Sequence, residues 1–168
     1  MKKIVITGAL GYIGTELCKL YSGFSWKYDV VAIDNRFISE RVNELKRRKI
    51  KFIQADICNL DEIKIYVKEA QVVHHLAGIT DVAYVKKDAN PDQDEKIKKV
   101  AIKGTENVLK SMNDKATIVF PSTHVVFEGL KKPKKNVDEN EKTSTFLAYS
   151  SSKVVNENQI INSGKKYA

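Results

Sequence analysis

Two short stretches of this chain carry residue types whose spacing suits chemistry. Tyr149-Ser150-Ser151-Ser152-Lys153 places a phenol and an amine four positions apart, which is one turn along the same face of a helix. Oxidising an alcohol requires a base for the hydroxyl proton while hydride leaves, and tyrosine at its ordinary pKa of about 10 is a poor base at neutral pH. An ammonium held beside the phenol favours phenolate and moves its titration toward working pH. The second stretch is Thr7-Gly8-Ala9-Leu10-Gly11-Tyr12-Ile13-Gly14. Its glycines permit a tight turn and let backbone N–H groups at a helix start approach an anion closely. Ile4-Val5-Ile6 precedes it as a strand, and Ile13, Leu17 and Leu20 follow at helical spacing, which is the setting of a dinucleotide pyrophosphate site. Together and in this order, the two stretches indicate hydride transfer with a nicotinamide cofactor.

Further residues fall where that chemistry needs them. Asp34 lies 20 residues beyond Gly14 at the end of a second apolar run, where a carboxylate accepts both ribose hydroxyls of an adenosine and disfavours a 2′-phosphate. NAD is therefore preferred to NADP. Arg36 keeps the other reading open, because a guanidinium can pair with that phosphate. Asp56-Ile57 either flanks the adenine or only turns the chain toward the next helix. Pro121-Ser122-Thr123 follows the fifth apolar run, at the sheet edge where open α/β folds bind ligands. Thr123 is placed to hydrogen-bond the reacting oxygen opposite Tyr149, with Ser122 as the alternative, and Lys153 can also reach the nicotinamide ribose. His124 has no visible acidic partner and reads as structural. His74 and His75 end a strand, where alternation points them to opposite sides, so no metal site is expected.

The elements that must position these residues alternate from the first residue. Apolar strands at Ile4–Ile6, Val30–Ile33, Phe52–Ile53, Val72–Leu76 and Ile118–Phe120 are separated by helical patterns. This is the mark of an α/β doubly wound parallel sheet covered on both faces, and right-handed crossovers give the strand order 3-2-1-4-5. Asn59 and Glu62 resemble an N-terminal capping pair. The spacing predicts helices over 92–112 and 149–162. Ile97, Ala101, Gly104, Val108 and Met112 share one stripe of the first of these. Residues 131–144, lysine-rich and containing Pro133, read as a loop. The sequence reaches Ala168 where such a fold would enter its sixth strand.

Composition bounds the alternatives. The 168 residues are 42% hydrophobic and 30% charged, as in one globular domain. No apolar run has the roughly 18 residues of a membrane span, and a cytosolic protein is expected. Cys18 and Cys58 lack metal-ligand spacing and disulfide density, so they read as reduced small hydrophobes. The net charge of +8 is concentrated at Lys46-Arg47-Arg48-Lys49 and at Lys131, Lys132, Lys134 and Lys135. Without interleaved aromatics these clusters indicate solvated faces rather than a nucleic-acid surface.

At this number of ordered stations the chain resembles the NAD-dependent epimerase/dehydratase family of extended short-chain dehydrogenases/reductases, which includes UDP-glucose 4-epimerase. The stations are Thr7 to Gly14, Asp34-Asn35, Asp56-Ile57, His75-Leu76-Ala77-Gly78, Gly104-Thr105 with Asn107-Val108-Leu109, Ser122-Thr123, and Tyr149 with Lys153. The resemblance implies a Rossmann-like fold, NAD bound at Gly8, Gly11, Tyr12, Ile13, Gly14, Asp34, Asn35, Asp56, Ile57, Leu76, Ala77, Gly78 and Lys153, and Tyr149 as the base with Thr123 holding the hydroxyl. It further implies a nucleotide-sugar substrate and a homodimer through the helices that begin near Asp92 and Tyr149. Ala101 stands where the family usually has Asn, and Val126-Phe127-Glu128-Gly129 where many members read Val-Tyr-Gly. His124-Val125 lacks the two acids that follow the hydroxyl residue in sugar-nucleotide dehydratases, which favours epimerisation or simple carbonyl reduction over dehydration. Family members also carry a carboxyl-terminal portion that supplies most of the substrate pocket. Residues 1–168 are accordingly expected to form a partial NAD-binding domain that holds cofactor without turning over substrate, and a noncatalytic NAD-binding protein is the alternative to an epimerase or a carbonyl reductase.

Overall fold

The computed structural model describes residues 1–80, 91–132 and 134–168. The strands are β1 (Lys2–Thr7), β2 (Tyr28–Asp34), β3 (Lys51–Gln54), β4 (Val72–His75), β5 (Thr117–Val119) and β6 (Lys166–Tyr167). Between them run α1 (Tyr12–Ser22), α2 (Ser39–Arg47), α3 (Leu60–Val67), α4 (Pro91–Ser111) and α5 (Ala148–Asn162). The strands pair in parallel in the order β3-β2-β1-β4-β5-β6. The predicted order 3-2-1-4-5 is therefore present, and it continues into a two-residue sixth strand. Ile118 pairs with Tyr167 there, and the Ala168 N–H donates to the Ile118 carbonyl at 3.0 Å.

Continuous apolar runs are what a strand covered on both faces requires. Along β1 the side chains divide. Ile4 and Ile6 pack with Cys18 of α1 and with Val42 and Leu45 of α2. Val5 packs on the other face with Ile63 and Val67 of α3, Val108 of α4, Met112 just after α4, and Ile160 of α5. Burying each such aliphatic side chain contributes about 1.5–3 kcal/mol, so the central strands anchor both helical layers at once. Cys18 and Cys58 are free thiols, and burial raises the Cys18 pKa to about 12.

Local signals mark the starts of α3 and α4. The Asn59 side chain accepts the Asp61 N–H at the start of α3. Its capping partner Glu62 behaves differently from the expected reciprocal box. The Asn59 N–H is taken by the Asp56 carbonyl, so Glu62 receives the Asn59 side-chain amide at 2.8 Å and the Asp56 N–H at 2.7 Å. Pro91 is the first residue of α4, where its missing N–H costs nothing. Of the predicted stripe on α4 and the residue after it, Ile97, Gly104, Val108 and Met112 are buried and Ala101 is half-buried. A 3-10 helix over His124–Phe127 has no counterpart in the sequence reading. Thr123 starts it by accepting the Val125 N–H. Residues 131, 132 and 134–144 form no helix or strand, as expected, and Pro133 of that loop lies outside the described residues.

One buried polar line crosses the sheet. His75 Nδ1 lies 2.9 Å from the Thr7 hydroxyl and Nε2 lies 2.9 Å from the Thr105 hydroxyl, while Thr7 also accepts the Ala77 N–H. The line joins β1, β4 and α4 directly beneath the glycine turn. His74 points the other way, as alternation requires, and meets the Tyr21 hydroxyl at 2.8 Å. Burial, with the Lys153 charge adding to it, lowers the His75 pKa to about 3. Folded chains therefore keep this imidazole neutral where unfolded ones protonate it, so its stabilising contribution is complete above about pH 6.5 and is lost as pH falls toward 3. His75→Leu leaves two buried hydroxyls without their partner and is expected to destabilise by about 1–3 kcal/mol at pH 7. The deficit should shrink at pH 4.5, because the variant lacks the acid-side penalty; urea unfolding at both pH values measures this.

Candidate active site

The site begins in the turn after β1. Gly8 has φ +68°, and a Cβ there would stand 2.7 Å from the Ala77 nitrogen. A Cβ on Gly14 would lie 2.7 Å from the Ala9 Cα and closer still to the Gly8 carbonyl. Side chains at these positions would push α1 away from β1 and β4. The N-terminus of α1 at Gly11 has no side-chain cap, so the first-turn N–H groups have no partner from a capping side chain. Tyr12 and Ile13 beside it are 83% and 56% exposed, which is unusual placement for large apolar side chains. An uncapped, glycine-lined helix start with apolar flanks is suited to an anionic group carrying a flat ring system.

Asp34 ends β2 with its side chain 3% exposed. Its Oδ2 accepts the Leu10 N–H of the glycine turn at 2.9 Å, and Oδ1 accepts the Arg36 N–H at 3.0 Å. The Arg36 guanidinium then forks onto the carboxylate, Nε to Oδ1 at 3.0 Å and Nη2 to Oδ2 at 3.1 Å. That hydrogen bond holds the guanidinium pKa above its usual value. Arg41 donates to the Leu10 carbonyl on the opposite side of the turn. Next to Asp34, an open pocket is lined by Asn35, Gln54, Ala55, Asp56 and Glu62. Asp56 Oδ1 accepts the Cys58 N–H, while Ile57 is buried and contacts Gly104 of α4. Leu76, Ala77 and Gly78 continue past β4 beside Gly8, with Gly78 exposed.

The second half of the site stands on α5. Ser150 and Ser152 are buried, whereas Tyr149 and Lys153 are only half-buried. The Lys153 ammonium donates to the Pro121 carbonyl at 2.8 Å and lies 4.2 Å from the centre of the Phe120 ring and 5.9 Å from that of Tyr149. Desolvation lowers its pKa to about 8, with Glu157 opposing the shift. The Thr123 hydroxyl accepts a backbone N–H and retains its own proton for another partner. Ser122 is exposed and its hydroxyl is held by Glu157. His124 is exposed on the 3-10 helix. Among the described residues no group of three or more His, Cys, Asp or Glu is placed to hold a metal ion.

Several residues that shape this half carried no legible signal. Leu147, at the N-cap of α5, has no capping side chain. Glu128 supplies the cap instead, through one oxygen that accepts the Phe146 N–H at 3.0 Å, the Leu147 N–H at 2.8 Å and the Ser150 hydroxyl. Asn156 and Gln159 donate to the Ala101 and Ile102 carbonyls of α4, so position 101 is tied to α5 through its backbone even with no side-chain amide of its own. The departures at Ala101 and at Val126-Phe127-Glu128-Gly129 are the marks that the sequence carries at these positions.

Comparison with known proteins gives this arrangement its relatives. The model of the 3-beta hydroxysteroid dehydrogenase/isomerase family matches residues 5–167. Protein 052L of Frog virus 3 is 31% identical over 110 residues, which are 65% of this chain and 29% of that protein. UDP-glucose 4-epimerase from Thermotoga maritima superposes with a TM-score of 0.80 at 22% identity, over 98% of this chain and 53% of that one. UDP-glucose 4-epimerase from Stenotrophomonas maltophila, solved with bound NAD, superposes at 0.78 and 22% identity, over 96% and 48%. The chain thus spans about a third or less of the curated relatives' length and about half that of these solved structures. The chain shares the fold of these solved structures, with its parallel sheet in the order β3-β2-β1-β4-β5-β6, and it belongs to the 3-beta hydroxysteroid dehydrogenase/isomerase family.

Proposed function

We propose that this chain is the cofactor-binding and Tyr149/Lys153-bearing portion of an NAD-dependent sugar-nucleotide epimerase resembling UDP-glucose 4-epimerase. The observation that carries the reading is the convergence at the carboxyl edge of the sheet. The uncapped α1 N-terminus, the buried Asp34, and Lys153 seated on Phe120 one turn from Tyr149 all gather there. The residues fit NAD because the glycines let α1 start tight against the ends of β1 and β4 with no capping side chain at its N-terminus, where an anion is favoured, and the carboxylate at Asp34 offers paired acceptors. The relative solved with NAD supports the same cofactor.

In this assignment Gly8, Gly11 and Gly14, with the N–H groups of Tyr12 and Ile13, receive the pyrophosphate. Asp34 and Asn35 hold the adenosine ribose, Asp56 and Ile57 flank the adenine, and Leu76, Ala77 and Gly78 line the nicotinamide side. NAD supplies the hydride acceptor when bound. Tyr149 takes the proton from the sugar 4-hydroxyl and returns it after the keto sugar has turned its other face. Lys153 holds positive charge near the phenol and reaches the nicotinamide ribose, and Thr123 orients the hydroxyl, with Ser122 as the alternative. The substrate pocket and the homodimer through α4 and α5 belong to the same proposal. The family description favours a second reading, in which the chemistry is net alcohol oxidation or carbonyl reduction on a substrate that is not a nucleotide sugar. Net consumption of NADH distinguishes the two, since an epimerase regenerates its cofactor in each turnover.

Calorimetric titration tests the cofactor half directly. Asp34→Ala should weaken NAD binding about tenfold or more and narrow the preference over NADP, and equal affinity for both cofactors in wild type and variant would remove Asp34 from the ribose site. In a protein that includes a substrate portion, Tyr149→Phe should leave NAD affinity nearly unchanged and abolish turnover, so retained turnover would displace Tyr149 as the base. The lowered pKa of Lys153 fixes a third expectation. Between about pH 8 and 10.5 the unfolded chain binds this proton more tightly than the folded one, so the cost of burying the ammonium is complete below pH 8 and is relieved as pH rises. Wild type should accordingly gain on the order of 2 kcal/mol relative to Lys153→Met across that range, allowing for the half-buried setting, as urea unfolding of both proteins would record.

A further inference from the structure

We infer that the Arg36 guanidinium is a built-in competitor for the ribose diol at Asp34; the inference rests on the assignment of Asp34 to the adenosine ribose. A carboxylate offers about four lone-pair positions. At Asp34 two are taken by backbone donors, the Leu10 N–H at 2.9 Å and the Arg36 N–H at 3.0 Å. The other two are taken by the guanidinium fork, Nε at 3.0 Å and Nη2 at 3.1 Å. A ribose diol also brings two donors held in fixed spacing. The fork therefore stands in for the diol, and the two cannot occupy Asp34 together.

The pairing is built to exchange. The Asp34 side chain is 3% exposed and is held by the two backbone N–H groups, so it stays in place when the fork departs. The Arg36 side chain is 55% exposed and has water waiting for it. A half-exposed ion pair is weak enough to break on binding yet populated enough to reduce the fraction of chains ready for ligand. Arg36 thus lowers the affinity for NAD without touching the pyrophosphate or the nicotinamide half. It also keeps a buried carboxylate paired while the site is free of nucleotide, which explains why a residue that opposes binding is compatible with a stable fold.

Calorimetric titration with NAD of wild type, Arg36→Ala and Arg36→Gln tests this. The glutamine variant keeps side-chain bulk but cannot form the charged fork, and circular dichroism confirms that each variant folds. Both substitutions should tighten NAD binding about three- to fivefold, the ratio expected for an exposed pair. Adding Asp34→Ala to Arg36→Ala should erase the gain, because the competition exists only through Asp34. Unchanged or weaker NAD binding in both Arg36 variants would overturn the inference while a weakened Asp34→Ala leaves the ribose assignment standing. Wild-type affinity in Asp34→Ala would overturn the assignment and the competitor with it.

Discussion

The close approach of backbone to backbone at Gly8 is the constraint on which the cofactor half depends. With φ at +68° and Ala77 where a side chain would go, the turn after β1 lies flat against the end of β4. That contact lets the Thr7 hydroxyl accept the Ala77 N–H, and it brings the Leu10 N–H over the end of β2 to meet Asp34. A bulkier residue at position 8 would lift the turn and separate three strand ends that must act together. The glycine turn, the Leu10 N–H at Asp34 and the Thr7–Ala77 contact at the end of β4 are thus consequences of one backbone conformation that only glycine adopts at low cost.

A second dependence runs through α5. Its position relative to the sheet is set on both sides of Tyr149 and Lys153: by Glu128 at the first turn and by Asn156 and Gln159 against α4. Lys153 is then fixed between Phe120 and the Pro121 carbonyl. The ammonium keeps a carbonyl and a ring face but little water, which is why its proton is held less tightly than usual. The buried His75 ring lies tilted by 31° against Phe120 with centroids 5.9 Å apart, so the polar line from Thr7 to Thr105 and the seat of Lys153 share one aromatic side chain. The two halves of the site are in this way mechanically connected through β4 and β5.

Much of this was legible in the sequence because it is written in local pattern. The apolar runs of β1 and β2 announce strands covered on both faces, and the glycine spacing announces the turn that follows. The Tyr149/Lys153 pair is legible because helical periodicity alone brings the two side chains to one face. What escaped reading is long-range. Glu128 is 18 residues from Phe146, whose N–H it accepts, and nothing near either residue predicts that a carboxylate rather than an N-cap side chain starts α5. Phe120 reads as the end of a strand, and only packing turns it into the seat of an ammonium. The sequence places the entry to a sixth strand near Ala168 but not the strand itself, because two residues, Lys166 and Tyr167, carry no periodicity; they become a strand by pairing with β5.

The acidic side chains Asp34 and Glu128 differ in how replaceable their donors are. Each accepts several donors, and each lies away from bulk water. At Glu128 the donors are two backbone N–H groups and a buried serine, all fixed to the helix that the carboxylate caps, and its second oxygen is buried with no hydrogen-bond partner among the described residues. None of these donors can be exchanged for a ligand without undoing the start of α5. At Asp34 half of the donors belong to a side chain that is mostly in solvent and attached by rotatable bonds. A carboxylate whose partners are all backbone and core holds structure together, whereas one whose partners include a mobile, solvated cation keeps a place that another molecule can take.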